Sequence, residues 1–261
     1  MRTYQPDQEL RITISREQVL KTVKNTKKMI KHGLDKLRYE HLHALLGKNP
    51  EQNPDEIVFG NVFAALLTKI ANGEFPIPIQ PAFKDNELIA IFKSVEPLDC
   101  RPIGPCGVIR KLVASSVMAS IQHQIKNYFG KLQYAMDSCG TEKIIHSFRA
   151  QLSLDNSKDI FAMDGKNAFN EANRIFGLHQ IQKNFPSALP FIRMMYSNPA
   201  KMWYFTGIEH GAQAISSAQG FQQGDPTATW CFAMTIQPFL QEINNILGDS
   251  GFVKFSLTTK I

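Results

Sequence analysis

Hydrophobic positions along this chain change period several times, and each change marks an element. After Ser15, the residues Val19, Leu20 and Val23 recur at helical spacing, and Gln18 stands three residues past Ser15 as in a capping box. A helix therefore opens at Ser15, and the stretch before it reads as extended. Gly33-Leu34-Asp35 marks a turn, and residues 37–46 form a second helical pattern stopped by Gly47. Residues 50–54 are a linker, and 57–71 predict a third helix ended by Asn72-Gly73. Pro76, Pro78 and Pro81 predict that the next segment is extended. Residues 88–93 predict a short buried strand ending in a cation, and Arg101-Pro102-Ile103 opens a second extended piece. A helix over 109–125, a loop over 134–140 and a helix over 141–152 follow.

The second half has the same clarity. Asp159-Ile160-Phe161-Ala162-Met163-Asp164 is an apolar run that ends on a carboxylate, which predicts a strand. Helices are predicted over 168–184 and 189–196, then two strands over 200–205 and 213–216 joined around 207–211. Trp230, Phe232, Ala233, Ile236, Phe239, Leu240 and Ile243 lie near helical spacing. Asp225 is placed to cap that last helix, with Pro226 at its first position and Pro238 as a kink.

With 43% hydrophobic and 20% charged residues, 261 residues can bury a core as one large domain or two small ones. No apolar run reaches the length of a membrane span, and the polar amino terminus lacks a signal-peptide core, so a nuclear or cytoplasmic location is expected. Cys100, Cys106, Cys139 and Cys231 form no Cys-x-x-Cys pair; buried reduced thiols are the expectation, not a zinc site. His41 and His43 lie two apart and read as surface or packing residues. The net charge of +6 favours a polyanionic partner. Lys21, Lys24, Lys27, Lys28, Lys31, Lys36 and Arg38 crowd one short stretch. Alone, that cluster is a solvated helix face.

Two segments narrow the class. Asp164-Gly165-Lys166-Asn167-Ala168-Phe169-Asn170 is followed, 55 to 62 residues after Asp164, by Gln219-Gly220-Phe221-Gln222-Gln223-Gly224-Asp225-Pro226. The pair resembles motifs A and B of reverse transcriptases, the RNA-directed DNA polymerases of retroelements, with a non-LTR character. Residues 33–46 resemble the Gly-Pro-Asp-Gly-Leu-Arg-Tyr-Glu-His-Leu opening of many such polymerases; Leu34 stands in place of the proline and Lys36 in place of the second glycine. The likeness extends over Arg101-Pro102-Ile103 and Arg110-Lys111-Leu112-Val113 and covers most of 17–248.

The resemblance implies an α+β fold, a polymerase right hand in which helical fingers precede an incomplete palm of helices packed on a small antiparallel sheet. Fingers-like sequence would occupy 1–157 and the palm 158–261, without a thumb. It implies RNA-templated DNA synthesis from dNTPs on a primer-template duplex, with two Mg²⁺ ions clamping the attacking and leaving oxygens. Asp164 would be the catalytic metal ligand, aided by the Gly165 carbonyl. Phe169 would stack under the sugar and exclude a 2′-hydroxyl. Lys93 and Arg101 would grip the triphosphate, Arg as a fork and Lys as a point charge. Gln223 and Gly224 would shape the template and nucleotide pocket, glycine allowing a close backbone approach. Upstream of such a core, the amino-terminal lysines become template-backbone contacts.

One expected feature is missing. The aromatic-x-Asp-Asp of motif C should fall near 255–259, where Thr258-Thr259 stand instead, and neutral Thr is a weak ligand for Mg²⁺. Asp249 falls too early, in a turn-like Asp-Ser-Gly. Polymerisation by this chain alone is therefore not expected. The alternative is a non-catalytic nucleic-acid-binding remnant. An RNA-dependent RNA polymerase fits less well, because those enzymes usually carry a small or polar residue at the Phe169 position.

Overall fold

The computed structural model describes residues 10–26, 31–46, 53–94, 99–155, 157, 159–163, 165, 167–205, 211–251 and 253–256. Its elements are mostly helical, with two small sheets. Three helices form the amino-terminal part: α1 (Arg16–Asn25), α2 (Tyr39–Leu46) and α3 (Pro54–Ala71). The Ser15 capping box forms as the sequence predicts, its side chain accepting from Gln18 N while the Gln18 side chain accepts from Ser15 N at 2.9 Å. Asn53 caps α3 through Asp55 N at 3.0 Å, with Pro54 at the first position, where its missing N–H costs nothing. Val19, Val23, Leu42, Leu46, Phe63 and Leu67 bury the inner faces of these helices.

The proline-rich stretch is not extended. A 3₁₀ turn (Ile77–Ile79) leads into α4 (Gln80–Lys84), with prolines in the first turns, where a fixed φ and an absent N–H are compatible with a helix. After β1 (Asn86–Glu87), β2 (Ile89–Ser94) pairs antiparallel with β3 (Asp99–Ile103). β2 is not the buried strand the sequence predicts: Ile91 and Phe92 are 53% and 64% exposed. Consecutive in the strand, they lie on opposite faces, and no described element packs over either side chain.

The helix predicted over 109–125 is two, α5 (Val108–Ser120) and α6 (Gln122–Phe129), broken where the Ser120 hydroxyl takes the Val117 carbonyl at 2.7 Å. Next comes α7 (Gly140–Leu154). The pattern over 168–184 also splits, into α8 (Ala168–Glu171) and α9 (Arg174–Asn184). Asn173 starts the second by accepting from Phe176 N at 2.9 Å, and the Ala172 carbonyl turns away to take an N–H from Gly220. The remaining elements are α10 (Leu189–Tyr196), β4 (Ala200–Phe205), β5 (Ala212–Ser217) and α11 (Ala228–Leu247), which contains Pro238. β4 lies between β1, to which it is parallel, and β5, to which it is antiparallel, so this sheet is mixed and not wholly antiparallel.

The core runs from α1 and α3 through α5 to α10 and α11. Trp230, Phe185, Phe191, Tyr196 and Phe221 are almost wholly buried, and Trp230 and Phe185 meet edge to face at 5.3 Å. The carboxyl-terminal segment returns to this core: Phe255 N bonds the Leu132 carbonyl at 3.0 Å, and Tyr134 N bonds the Phe255 carbonyl at 2.8 Å. Among the described residues no helix is long and apolar enough to cross a membrane.

Candidate functional site

The segment 219–225 is a junction, because two stretches distant in sequence are bonded to its backbone. On one side it is bonded to the stretch after the motif A-like segment. Phe221 N donates to the Phe169 carbonyl at 2.7 Å, Gly220 N to Ala172 at 3.1 Å, and Gln219 Nε2 to Glu171 at 3.2 Å. Gly220 has φ +63°, and a Cβ there would lie 2.2 Å from the Phe169 carbonyl oxygen. Only glycine allows both the turn and the contact. Arg174, at the start of α9, spreads its guanidinium across the same loop: Nε to Gly220 O at 2.7 Å, Nη1 to Ser217 O at 3.0 Å, Nη2 to Gln219 O at 2.9 Å.

On the other side the loop is bonded to the end of β3. Gly104 N donates to the Gln223 carbonyl at 2.7 Å. Gly224 has φ +104°, and a Cβ there would lie 2.7 Å from the Gly104 carbonyl oxygen. The Cys106 thiol donates weakly to the Gly224 carbonyl at 3.6 Å.

Beneath this junction lies a buried polar network. Arg110, 1% exposed, pairs through Nη2 with Asp225 Oδ2, donates to Gln222 Oε1 at 3.0 Å, and donates through Nη1 to the Lys84 carbonyl at 2.9 Å. Tyr196 donates its phenol proton to Asp225 Oδ2 at 2.9 Å. Asp225 Oδ1 accepts from both N and Oγ1 of Thr227 at 2.8 Å. Burial by itself would raise the Asp225 pKa; the Arg110 charge and the Thr227 hydrogen bonds outweigh it and hold the carboxyl below its usual range. Tyr196 is pushed well up, first by burial and then by the Asp225 charge. Asp225 is thus the anchor of this loop more than a helix cap. Helix α11 begins at Ala228, and Pro226 precedes it, because Asp225 turns inward to Arg110 and caps only the Thr227 N–H.

The residues singled out from the sequence fall as follows. Asp164 and the Thr258-Thr259 pair lie outside the described residues, as do Lys27 and Lys28. The run 159–163 is not a strand. Ile160, Phe161 and Met163 are 50%, 86% and 74% exposed, and among the described residues none pairs with it. Alternating or continuous apolar residues make a strand only when a ladder neighbour covers them. Gly165 is exposed. Phe169 is half-buried in α8, its ring stacked on Phe232 with centroids 5.3 Å apart, so it is packed against the core on at least one face. Lys93 lies in β2 at the bulge between Phe92 and Ser94. Arg101, half-buried, sits in β3 opposite Ile91, three residues before the Gly104 junction. Gln223 is half-buried and Gly224 exposed. The structure therefore gathers Phe169, Gln223, Gly224 and the Arg101 strand around one loop.

Lys21, Lys24, Lys31, Lys36 and Arg38 are all exposed. Cys106 and Cys231 are buried, as expected of thiols in this chain, whereas Cys100 and Cys139 are exposed. Arg110, Arg174, Tyr196 and the inward role of Asp225 were not evident from the sequence as a network. A signal existed for Arg110, a cation within the apolar helical run of 108–117, which needs a buried counter-charge. Its partner, 115 residues away, has no local mark.

Among the described residues no group of three or more His, Cys, Asp or Glu side chains is placed to hold a metal ion. Where a Gly165 Cβ would stand, the described neighbour is the Ala168 methyl at 3.3 Å. The described residues do not by themselves make a Mg²⁺ site, and no step below runs through one.

No protein-family model matches the chain, and no curated protein matches it. Among solved structures it is similar to the apo telomerase of Candida tropicalis truncated from its C-terminal domain, at 13% identity and a TM-score of 0.43. That match covers 65% of this chain and 41% of the telomerase chain, so this chain spans well under half of it. A likeness of this size carries no argument about function.

Proposed function

We propose that this chain is a reverse-transcriptase-type domain, with fingers-like sequence over 1–157 and palm-like sequence over 158–261, that binds RNA template and primer-template duplex. The observation that carries the reading is the 219–225 loop. Motifs A and B are the segments most specific to the resemblance; residues 169–172, at the end of the first, and the end of the Arg101 strand both join the motif B-like loop by backbone hydrogen bonds. In this reading Gln223 and Gly224 border the template and nucleotide pocket, Lys93 and Arg101 hold dNTP phosphates, and Asp164 with the Gly165 carbonyl supplies one part of a Mg²⁺ site. Exposed Lys21, Lys24, Lys31 and Arg38 contact template backbone.

A second reading, binding without catalysis, is favoured by the Phe169 ring being engaged with Phe232 and by Thr258-Thr259 in place of the carboxylate pair. The two are separated by one pair of assays on the pure chain. Binding of labelled RNA and primed RNA should weaken steeply as salt is raised. In the presence of Mg²⁺ and dNTPs, extension of the primer should be absent. Extension that Asp164→Ala abolishes would establish the catalytic reading; absence of binding even at low salt would overturn both.

A further inference from the structure

The geometry points to a base-stacking platform for single-stranded nucleic acid on the outer face of the β1–β4–β5 sheet, built from Trp203, Phe205 and Lys201. The proposal rests on the reading of this chain as a nucleic-acid binder, but it assigns a surface away from the 219–225 loop.

Strand alternation defines the two faces. Asn86 is fully buried and is paired with Met202, and the Met202 Cε methyl lies 2.8 Å from where a Gly104 Cβ would stand. At Asn86 and Met202 that face packs on the body of the protein, while Ile215, opposite Met202 on β5, is 53% exposed. Glu87 and Trp203 are the next pair and belong to the opposite face, with Lys201 and Phe205 two residues to either side of Trp203. Their partners across β5 are Ser216 for Lys201, Ala214 for Trp203 and Ala212 for Phe205. Aromatic side chains on a sheet are ordinarily covered by bulky cross-strand neighbours. Here every neighbour on β5 is small; among the described residues Phe205 is left 61% exposed, and Trp203 is half-buried.

The platform is pre-organised. Trp203 Nε1 donates to Asp85 Oδ2 at 3.3 Å, and Lys201 N donates to Asp85 Oδ1 at 2.8 Å, which ties the indole edge and the strand backbone to one carboxylate. The Lys201 ammonium lies over the Trp203 ring, 5.4 Å from its centroid, so a base stacking there slides in as the flexible lysine swings to its phosphate. Two acids border this face: Asp85, held by the Trp203 indole and the strand backbone, and Glu87, matched by Lys31 at 3.0 Å. Two aromatic rings two residues apart on one strand, flanked by a cation and small residues, are what sheet-based readers of single strands present: π-faces for successive bases and a positive charge for the backbone. Duplex, with its bases already stacked, has no use for such a face. The net charge of +6 is complementary to that ligand.

Tryptophan emission tests this directly. The chain has two tryptophans, and Trp230 is fully buried, so a ligand on this face reports through Trp203 alone. Titrating the full chain with oligo-uridylate at low salt should quench Trp203, whereas a blunt RNA duplex should bind without quenching. Phe205→Ala and Trp203→Ala should each weaken oligo-uridylate binding, read by anisotropy of a labelled strand, about tenfold, with Phe205→Tyr close to the parent. Unchanged near-ultraviolet circular dichroism from Trp230 would verify that the variants fold. Binding without quenching, and unaltered by either variant, would remove the platform while leaving the nucleic-acid reading in place. No binding of any strand would remove both. Emission that depends on protein concentration alone, with a dimer in sedimentation, would make this face a self-association surface and overturn the proposal.

Discussion

Replacing Asp225 with Asn should be among the most damaging single changes in this chain. The side chain keeps its size and can still accept from Thr227, but its charge is lost. Arg110 then remains 1% exposed with its ion-pair partner removed and only the Gln222 and Lys84 oxygens facing it. Removing one member of a buried pair costs about 3–5 kcal/mol, most of it the uncompensated charge. For a domain whose whole stability is about 5–15 kcal/mol, that is about a fifth or more. Urea unfolding followed by Trp230 emission should show the midpoint falling by roughly 1–1.7 M at an m of about 3 kcal/mol/M, with m unchanged. The companion is Arg110→Met with Asp225→Leu. Because an apolar pair of similar volume replaces the ions, the double variant should recover most of what either single change loses. If Asp225→Asn costs less than about 1 kcal/mol, or the double variant loses the sum of the singles, the pair is not the coupled anchor described above.

Other changes probe separate links. Gly224→Ala should cost more than about 1 kcal/mol, since a Cβ at φ +104° also meets the Gly104 carbonyl at 2.7 Å; thermal unfolding reads it. Lys36 sits at φ +56°, in the position where the resemblance places glycine, so Lys36→Gly should stabilise by about 0.4–1 kcal/mol in the same measurement. A thiol reagent at neutral pH should titrate Cys100 and Cys139 quickly and Cys106 and Cys231 only on unfolding. Cys106 is further protected because burial pushes its thiol up to about 11. Asp225 has a depressed folded pKa, so its contribution is fully present above the unfolded value of about 3.9 and is lost as pH falls through the folded one. An acid titration of stability should therefore show a limb below pH 4 that is smaller in Asp225→Asn.

Much of this protein was determined locally and could be read from the chain. Ser15 and Gln18 cap α1, the 189–196 period is α10, and the 200–205 and 212–217 strands pair as a hairpin, because each depends on residues within a few positions of one another. The resemblance implied that Gly224 lets the backbone approach template and nucleotide. The close neighbours in the structure are other parts of this chain: Gly104 at Gly224, and Phe169 at Gly220.

Tertiary structure decided the rest, where an outcome depends on a distant neighbour. The 168–184 pattern breaks because the Ala172 carbonyl is claimed by Gly220, 48 residues on. The 88–93 and 159–163 runs are apolar enough for a buried strand, yet Ile91, Phe92, Ile160, Phe161 and Met163 stay exposed because no described element lies over them. Asp225 looks like a helix cap to its neighbours in sequence and is an anchor only because Arg110 and Tyr196 lie against it. A hydrophobic period specifies which side of an element prefers burial; whether it is buried, and against what, depends on contacts that sequence spacing does not encode.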